Sequence, residues 1–258
     1  MPTLQRDDFG LHFEVSGEGL PVLLTHGFSA TSAMFAGTAR ALVPDYRVVT
    51  WDLRGHGASD SPDDPSLYSP ELVMSDMVAL LDHLDIGRAV VGGHSIGGFL
   101  TLLFAITHRE RVCALVLEDT GPGYRSEKAR ERWNTSVAEA YATALSERGL
   151  AGLPAGAELH GEAHRGTTGL IHAARGILVQ RDARVLDALP SIAVPTLVIV
   201  GGKDVDFVPG SKYMAEKIPG ARLVEIPGAE HAPNLSHPDL FDECLRTFLD
   251  DVAARQRQ

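Results

Sequence analysis

Cysteine is scarce: the 258 residues hold two, Cys113 in an apolar run and Cys244 in a stretch with helical spacing, neither in a Cys-x-x-Cys pair. A zinc or thiol redox motif is therefore set aside. A disulfide framework is not needed, because a chain of this length can bury a large core without cross-links. No apolar run approaches the roughly 20 residues of a membrane span. The opening Met-Pro-Thr-Leu-Gln-Arg-Asp-Asp lacks the apolar stretch of a secretory signal. A cytoplasmic location is expected, which makes the Asn-x-Ser sequons at Asn134 and Asn234 accidental. Positive charge is in deficit: 23 Lys and Arg against 34 Asp and Glu give a formal net charge of -11. Without a basic stripe, nucleic acid and anionic membrane are poor partners, and the charge serves solubility. No internal repeat and no long disordered segment is visible.

Short β-rich runs alternate with longer helical ones. Strands are expected at Leu11–Val15, Val22–Thr25, Arg47–Trp51, Ala89–Gly92, Val112–Leu117, Thr196–Val200 and Arg222–Ile226. Most are continuous Val/Ile/Leu runs, which suit strands buried on both faces of a parallel sheet. The first alternates more and suits an antiparallel edge hairpin with the second. Helices are expected at Ser69–Leu84, where Leu72, Val73, Met77, Leu80, Leu81 and Leu84 share a face, and at Gly97–Thr107, Gly210–Ile218 and Pro238–Ala253. Strand and helix in repeated order predict an α/β fold: a mostly parallel sheet flanked by helices on both faces. From about Gly121 to Leu189 the rhythm breaks. Helical pattern continues over Ser126–Arg148 and Gly169–Leu189 with no convincing strand. This reads as a small helical cap inserted between strands, giving a core of residues 1–120 and 190–258 and a cap of 121–189.

The strongest local signal is Gly93-His94-Ser95-Ile96-Gly97, directly after the strand at Ala89–Gly92 and before the helix at Gly97. A sharp turn from strand to helix pushes one side chain out at the carboxyl edge of the sheet, and the flanking glycines relieve the crowding of that turn. The helix N-terminus then points free N–H groups at the same place. Ser95 is the candidate nucleophile.

Taken with His26-Gly27-Phe28, Asp52-Leu53-Arg54-Gly55-His56-Gly57-Ala58-Ser59, Gly201-Gly202-Lys203-Asp204 after Pro195, and Gly228-Ala229-Glu230-His231-Ala232-Pro233, this motif makes the chain resemble the α/β-hydrolase fold superfamily. The landmarks run in the family's order and span most of the chain outside the cap.

The resemblance implies a chain order of nucleophile, acid, histidine. His231, in the loop after the last strand, is then the base, and Asp204, after Thr196–Val200, the acid that orients it. Asp206 stands two residues on, and Asp119, just past Val112–Leu117, is the main competitor, because some relatives place the acid there. The oxyanion hole is expected from the backbone N–H groups of Phe28 and Ile96, with His26 propping the loop. Asp52 and Arg54 are read as structural, paired or hydrogen-bonded. Candidate substrate-binding residues are Phe35, Trp133, Phe207 and Val208, with Phe28, Ile96 and Pro233 also lining the pocket.

His160 and His164 stand four apart with Glu162 between them, but the order is not His-Glu-x-x-His and the stretch reads as cap surface, so no metal is expected. The glycines around Ser95 form neither a phosphate loop nor a dinucleotide fingerprint, and no cofactor is implied. The expected activity is a serine hydrolase cleaving a small-to-medium carboxylic ester or lactone through an acyl-enzyme. Carbon–carbon bond hydrolysis, a perhydrolase activity and a slow-turnover small-molecule receptor are the rivals. A small-molecule substrate is the only expected ligand, and association into a homo-oligomer is compatible with this reading.

Overall fold

Continuous Val, Ile and Leu runs can form strands only where helices cover both sheet faces, and the chain supplies such helices in order. The computed structural model describes residues 2–6, 9–43, 45–153, 156 and 163–257. Strands β1 (Thr3–Arg6), β2 (Phe9–Ser16) and β3 (Leu20–Thr25) lead to α1 (Ala36–Leu42) and β4 (Tyr46–Trp51). Then come α2 (Pro70–His83), β5 (Ala89–His94), α3 (Ile96–Thr107) and β6 (Val112–Glu118). Four helices follow with no strand among the described residues: α4 (Glu127–Trp133), α5 (Ala140–Arg148), α6 (Thr168–Gly176) and α7 (Arg184–Ala188). A π turn over Asn134–Glu139 joins α4 to α5. The chain closes with β7 (Thr196–Gly201), α8 (Val208–Lys217), β8 (Arg222–Ile226), the single turn α9 (Pro233–Ser236) and α10 (Pro238–Gln256). None of these helices is long and apolar enough to cross a membrane.

The eight strands form one sheet in the order β1-β2-β4-β3-β5-β6-β7-β8. Pairs β1/β2 and β2/β4 are antiparallel, and every other pair is parallel. Two expectations are corrected. The second strand does not form a hairpin with its successor: β2 pairs with β4, Phe13 facing Trp51, because β3 passes into the sheet centre between β4 and β5. An eighth strand, β1, was not expected: its Thr-Leu-Gln-Arg sequence is half-exposed at the sheet edge and carries no apolar run. The C-terminal helix also runs to Gln256, past the end expected at Ala253.

Alternate residues of each central strand enter two core layers. Leu23, Val91, Leu115, Leu117 and Val198 pack with α2 and α3, through residues such as Met77, Leu81, Leu100 and Phe104. Val22, Val90, Val116, Leu197 and Ile199 pack with α1 and α10, through Leu42, Phe241, Leu245 and Leu249. The strand order reverses at β3: the chain leaves it to build β4 on one side, then returns to build β5 on the other, with Thr25 in register with Gly93. The carboxyl ends of β3 and β5 therefore lie side by side while their loops diverge to opposite faces. Open α/β sheets bind ligands in the crevice this creates.

Candidate active site

Ser95 sits between β5 and α3 with φ 53° and ψ -121°, in the left-handed half of backbone space. A serine held there is strained and persists only because its surroundings over-determine it. The surroundings are specific. Ser95 N donates to Glu118 O at 2.9 Å, and Ser95 O accepts from Thr120 Oγ1 at 2.6 Å and from Gly98 N at 3.0 Å. A Cβ on Gly97 would lie 2.1 Å from Thr25 O, and one on Gly93 would lie 2.4 Å from the Gly97 carbonyl carbon, so the turn closes only with glycine at both places. Serine at a helix N-cap usually spends its hydroxyl on a first-turn N–H. Ser95 makes no such bond. Its hydroxyl stays available on a half-buried residue beside the crevice.

His231 Nδ1 meets Asp204 Oδ2 at 2.7 Å, across 27 residues of sequence. Asp204 is buried, at 9% exposure, whereas Asp206 is exposed and stays out of this contact. The Asp204 loop is fixed by its own backbone: Asp204 N donates to Gly201 O, Phe207 N to Asp204 O and Lys203 N to Ala229 O. The last of these bonds ties the acid's loop to the histidine's loop. His94, the residue before Ser95, holds His231 from the other side. Its Nε2 donates to His231 O at 2.6 Å, and the two rings meet edge-on at 4.7 Å. Burial first, then the neighbouring His231, pushes the His94 pKa well below the ordinary histidine value, and the facing His231 carbonyl places the single proton of the neutral ring on Nε2. Nothing in the spacing marks His94 for this role; it occupies the variable position of the serine motif.

The loop after β3 faces the same point. A Cβ on Gly27 would lie 2.6 Å from His94 Nδ1 and 3.3 Å from Ser95 Cβ, so this backbone lies against the serine. His26, fully buried, accepts from Leu53 N at 3.0 Å through Nε2 and lies 2.6 Å from Gly27 O through Nδ1. Those two contacts select the neutral tautomer with the proton on Nδ1. Neither Phe28 N–H nor Ile96 N–H donates to an acceptor among the described residues. Asp52 and Arg54 are both hydrogen-bonded, though not to each other. Asp52 accepts from Ser32 N and Ala58 N, and Arg54 forms a buried bidentate pair with Asp76.

The expected pocket residues separate. The Phe207 ring lies 4.7 Å from that of His231, and Val208 is half-buried at the start of α8. Trp133 belongs to the same core layer as Phe28 and Ile96, with its ring 5.9 Å from that of Tyr124 and Nε1 donating to Leu178 O. Pro233 is buried at the start of α9. Phe35 belongs to the other layer, 1% exposed among Met34, Leu42 and Val48, and is a core residue rather than a pocket residue. The Tyr141 ring of α5, which composition did not flag, lies 5.1 Å from that of Phe28. His160 and Glu162 lie outside the described residues. His164 is not surface: it is buried, accepts from Gly57 N at 2.9 Å and lies 2.8 Å from Ser29 O, which fastens the helical segment to two core loops.

A hydroxyl on a strained turn, an imidazole held by a carboxylate, and two unbonded N–H groups at the end of one crevice are the parts that acyl transfer uses. The model of the Alpha/beta hydrolase family matches residues 22–243. A pimeloyl-[acyl-carrier protein] methyl ester esterase of Chromobacterium violaceum is 32% identical over 94% of this chain and 99% of its own. Among solved structures, a thermophilic esterase from Thermogutta terrifontis superposes with a TM-score of 0.82 at 30% identity, covering 95% of this chain and 94% of that one. The enol-lactonase from Burkholderia xenovorans gives 0.77 at 27% identity, over 96% and 100%.

Proposed function

The chain belongs to the alpha/beta hydrolase family, and we propose that it hydrolyses a small-to-medium carboxylic ester or lactone through an acyl-enzyme on Ser95. The observation that carries this reading is the His231–Asp204 contact of 2.7 Å in a loop that His94 fastens to the serine turn. In the proposed cycle Ser95 Oγ attacks the substrate carbonyl while His231 Nε2 takes its proton. Asp204 holds Nδ1–H and steadies the imidazolium without taking the proton itself. The N–H groups of Phe28 and Ile96 receive the oxyanion, a contribution of about 3–4 kcal/mol per donor in comparable sites. His231 then gives the proton to the leaving alcohol, and water attacks the acyl-enzyme by the same route in reverse.

Esterase and enol-lactonase relatives support the substrate class. Phe207 against His231, and Phe28 with Tyr141 beside it, support apolar acyl or alcohol groups. In this reading residues 121–189 act as a cap over the crevice, and the enzyme works in the cytoplasm. The test is a p-nitrophenyl ester series of increasing acyl length, with lactones in parallel, on wild type and Ser95→Ala. Turnover that disappears in Ser95→Ala supports the reading. Turnover that survives the substitution, or none on any ester or lactone, sinks it.

A further inference from the structure

Asp119 follows β6 and is fully buried, with φ 40°, a left-handed conformation that aspartate tolerates only when held. Two backbone bonds hold it: Asp119 N donates to Ile199 O at 3.0 Å, and Asp119 Oδ1 accepts from Gly201 N at 2.9 Å. Oδ2 is buried and receives no N–H or O–H donor. The Asp204 carboxylate is within hydrogen-bonding reach of the Asp119 carboxyl, and one polar atom each of Asp119, Asp204 and His231 lie within 4.8 Å of one another. His231 Nδ1 is already taken by Asp204 Oδ2. The charges acting on Asp119 are negative: Glu118, buried beside it and accepting from Asn234 N, and Asp204. Two touching carboxyls in such a site cannot both ionise. Burial first, then Glu118, then Asp204 hold the Asp119 pKa well above the usual carboxylate range.

We propose that Asp119 is a positioning residue that keeps its proton at neutral pH and donates an O–H hydrogen bond to the Asp204 carboxylate, so that a carboxyl–carboxylate pair with one negative charge orients His231. An O–H donor toward Asp204 pairs the otherwise unpaired buried carboxyl and fixes the plane of the Asp204 carboxylate, keeping Oδ2 turned to His231. The backbone strain at Asp119 has the same effect, setting the carboxyl between the Gly201 N–H and Asp204. Asp119 is then neither a rival acid nor a bystander. The inference rests on the proposed hydrolase for its kinetic readout alone.

The test compares Asp119→Asn with Asp119→Ala in the full chain. Asparagine keeps an acceptor for Gly201 N and offers N–H where the carboxyl offers O–H; alanine offers neither. At neutral pH, the infrared difference between wild type and Asp119→Asn should contain the carbonyl stretch of a protonated carboxylic acid. Asp119→Asn should keep kcat/KM on a p-nitrophenyl ester within about threefold with the acidic limb of the pH profile unmoved, while Asp119→Ala should lose about 10–100-fold. Absence of the acid carbonyl band overturns the proposal. So does an Asp119→Asn variant that folds, by circular dichroism, yet loses activity and shifts its acidic limb, because an ionised Asp119 would then be supplying charge to His231. If Asp119→Ala does not fold, the asparagine variant and the spectrum still decide. If wild type turns over no ester or lactone, the hydrolase reading fails and the infrared result alone decides this one.

Discussion

Protonating His26 should destabilise the fold, and the size of the effect can be worked out. The ring is fully buried, with Nε2 accepting from Leu53 N and Nδ1 facing Gly27 O. A proton on Nε2 would break the first bond and place a charge in the core. Burial is the main cause that lowers its pKa from 6.5 to about 4, against a smaller opposing pull from Asp52. The sign follows from which state binds the proton. Below pH 6.5 the unfolded chain protonates this histidine while the folded chain does not. Stability is therefore complete above about 6.5, falls as pH drops toward 4, and is flat in this respect below that. Each pH unit of the gap is worth about 1.4 kcal/mol, so about 2 kcal/mol is lost at pH 5 and about 3 kcal/mol at pH 4. His56 and His94 are lowered in the same direction, again chiefly by burial, and add to the loss. Against the roughly 5–15 kcal/mol of a typical domain this is a large fraction. Urea unfolding at pH 7 and pH 5 measures it. Wild type should lose at least about 2 kcal/mol between the two, and His26→Ala, though weaker at pH 7, should lose about 2 kcal/mol less over the same interval. Equal wild-type stability at both pH values, or an unchanged difference in the variant, would refute the argument.

Other substitutions probe other parts of the account. Asp76→Ala leaves Arg54, whose side chain is 3% exposed, as an unpaired buried cation; the expected loss is about 3–5 kcal/mol in urea unfolding, and less than about 1 kcal/mol would show that the pair is idle. Gly97→Ala places a Cβ 2.1 Å from Thr25 O, forcing the serine turn away from β3, and soluble folded protein should be nearly absent in an expression assay. Asp204→Asn should lower kcat by about 10⁴ with the fold retained, since the amide can leave His231 in the wrong tautomer. Tyr141→Ala removes the ring against Phe28 and should raise KM for long-chain or aromatic esters by about tenfold while kcat on acetate esters is unchanged.

What could be read from sequence depended on whether the signal was local. The serine turn is local: a strand, two glycines flanking Ser95 and its neighbours, and a helix, all within a dozen residues. Strand existence in the centre of the sheet is local too, because continuous apolar runs such as Val112–Leu117 have few other solutions. Pairing is not local. The alternation in β2 suits an antiparallel strand toward the sheet edge but does not say which strand lies beside it, and its neighbours proved to be β1 and β4 rather than β3. Apolar identity likewise says that Phe35 is buried without saying on which side of the sheet, and it fell in the layer away from Phe28. His94 and Tyr141 gave no signal because their roles arise only where loops and helices distant in sequence converge. His164 misled because polarity in a helical insertion suggests solvent, whereas here its two ring nitrogens meet backbone groups of separate core loops.

The central claim, that Ser95 is a nucleophile activated by His231, is tested most directly by covalent capture. Wild type, Ser95→Ala and His231→Ala would each be treated with a serine-reactive fluorophosphonate and followed by intact mass over time, with the labelled peptide sequenced. The account predicts one adduct per chain on wild type, located at Ser95, none on Ser95→Ala, and greatly slowed labelling of folded His231→Ala. An adduct that persists in Ser95→Ala, or labelling at an unchanged rate without His231, would contradict it.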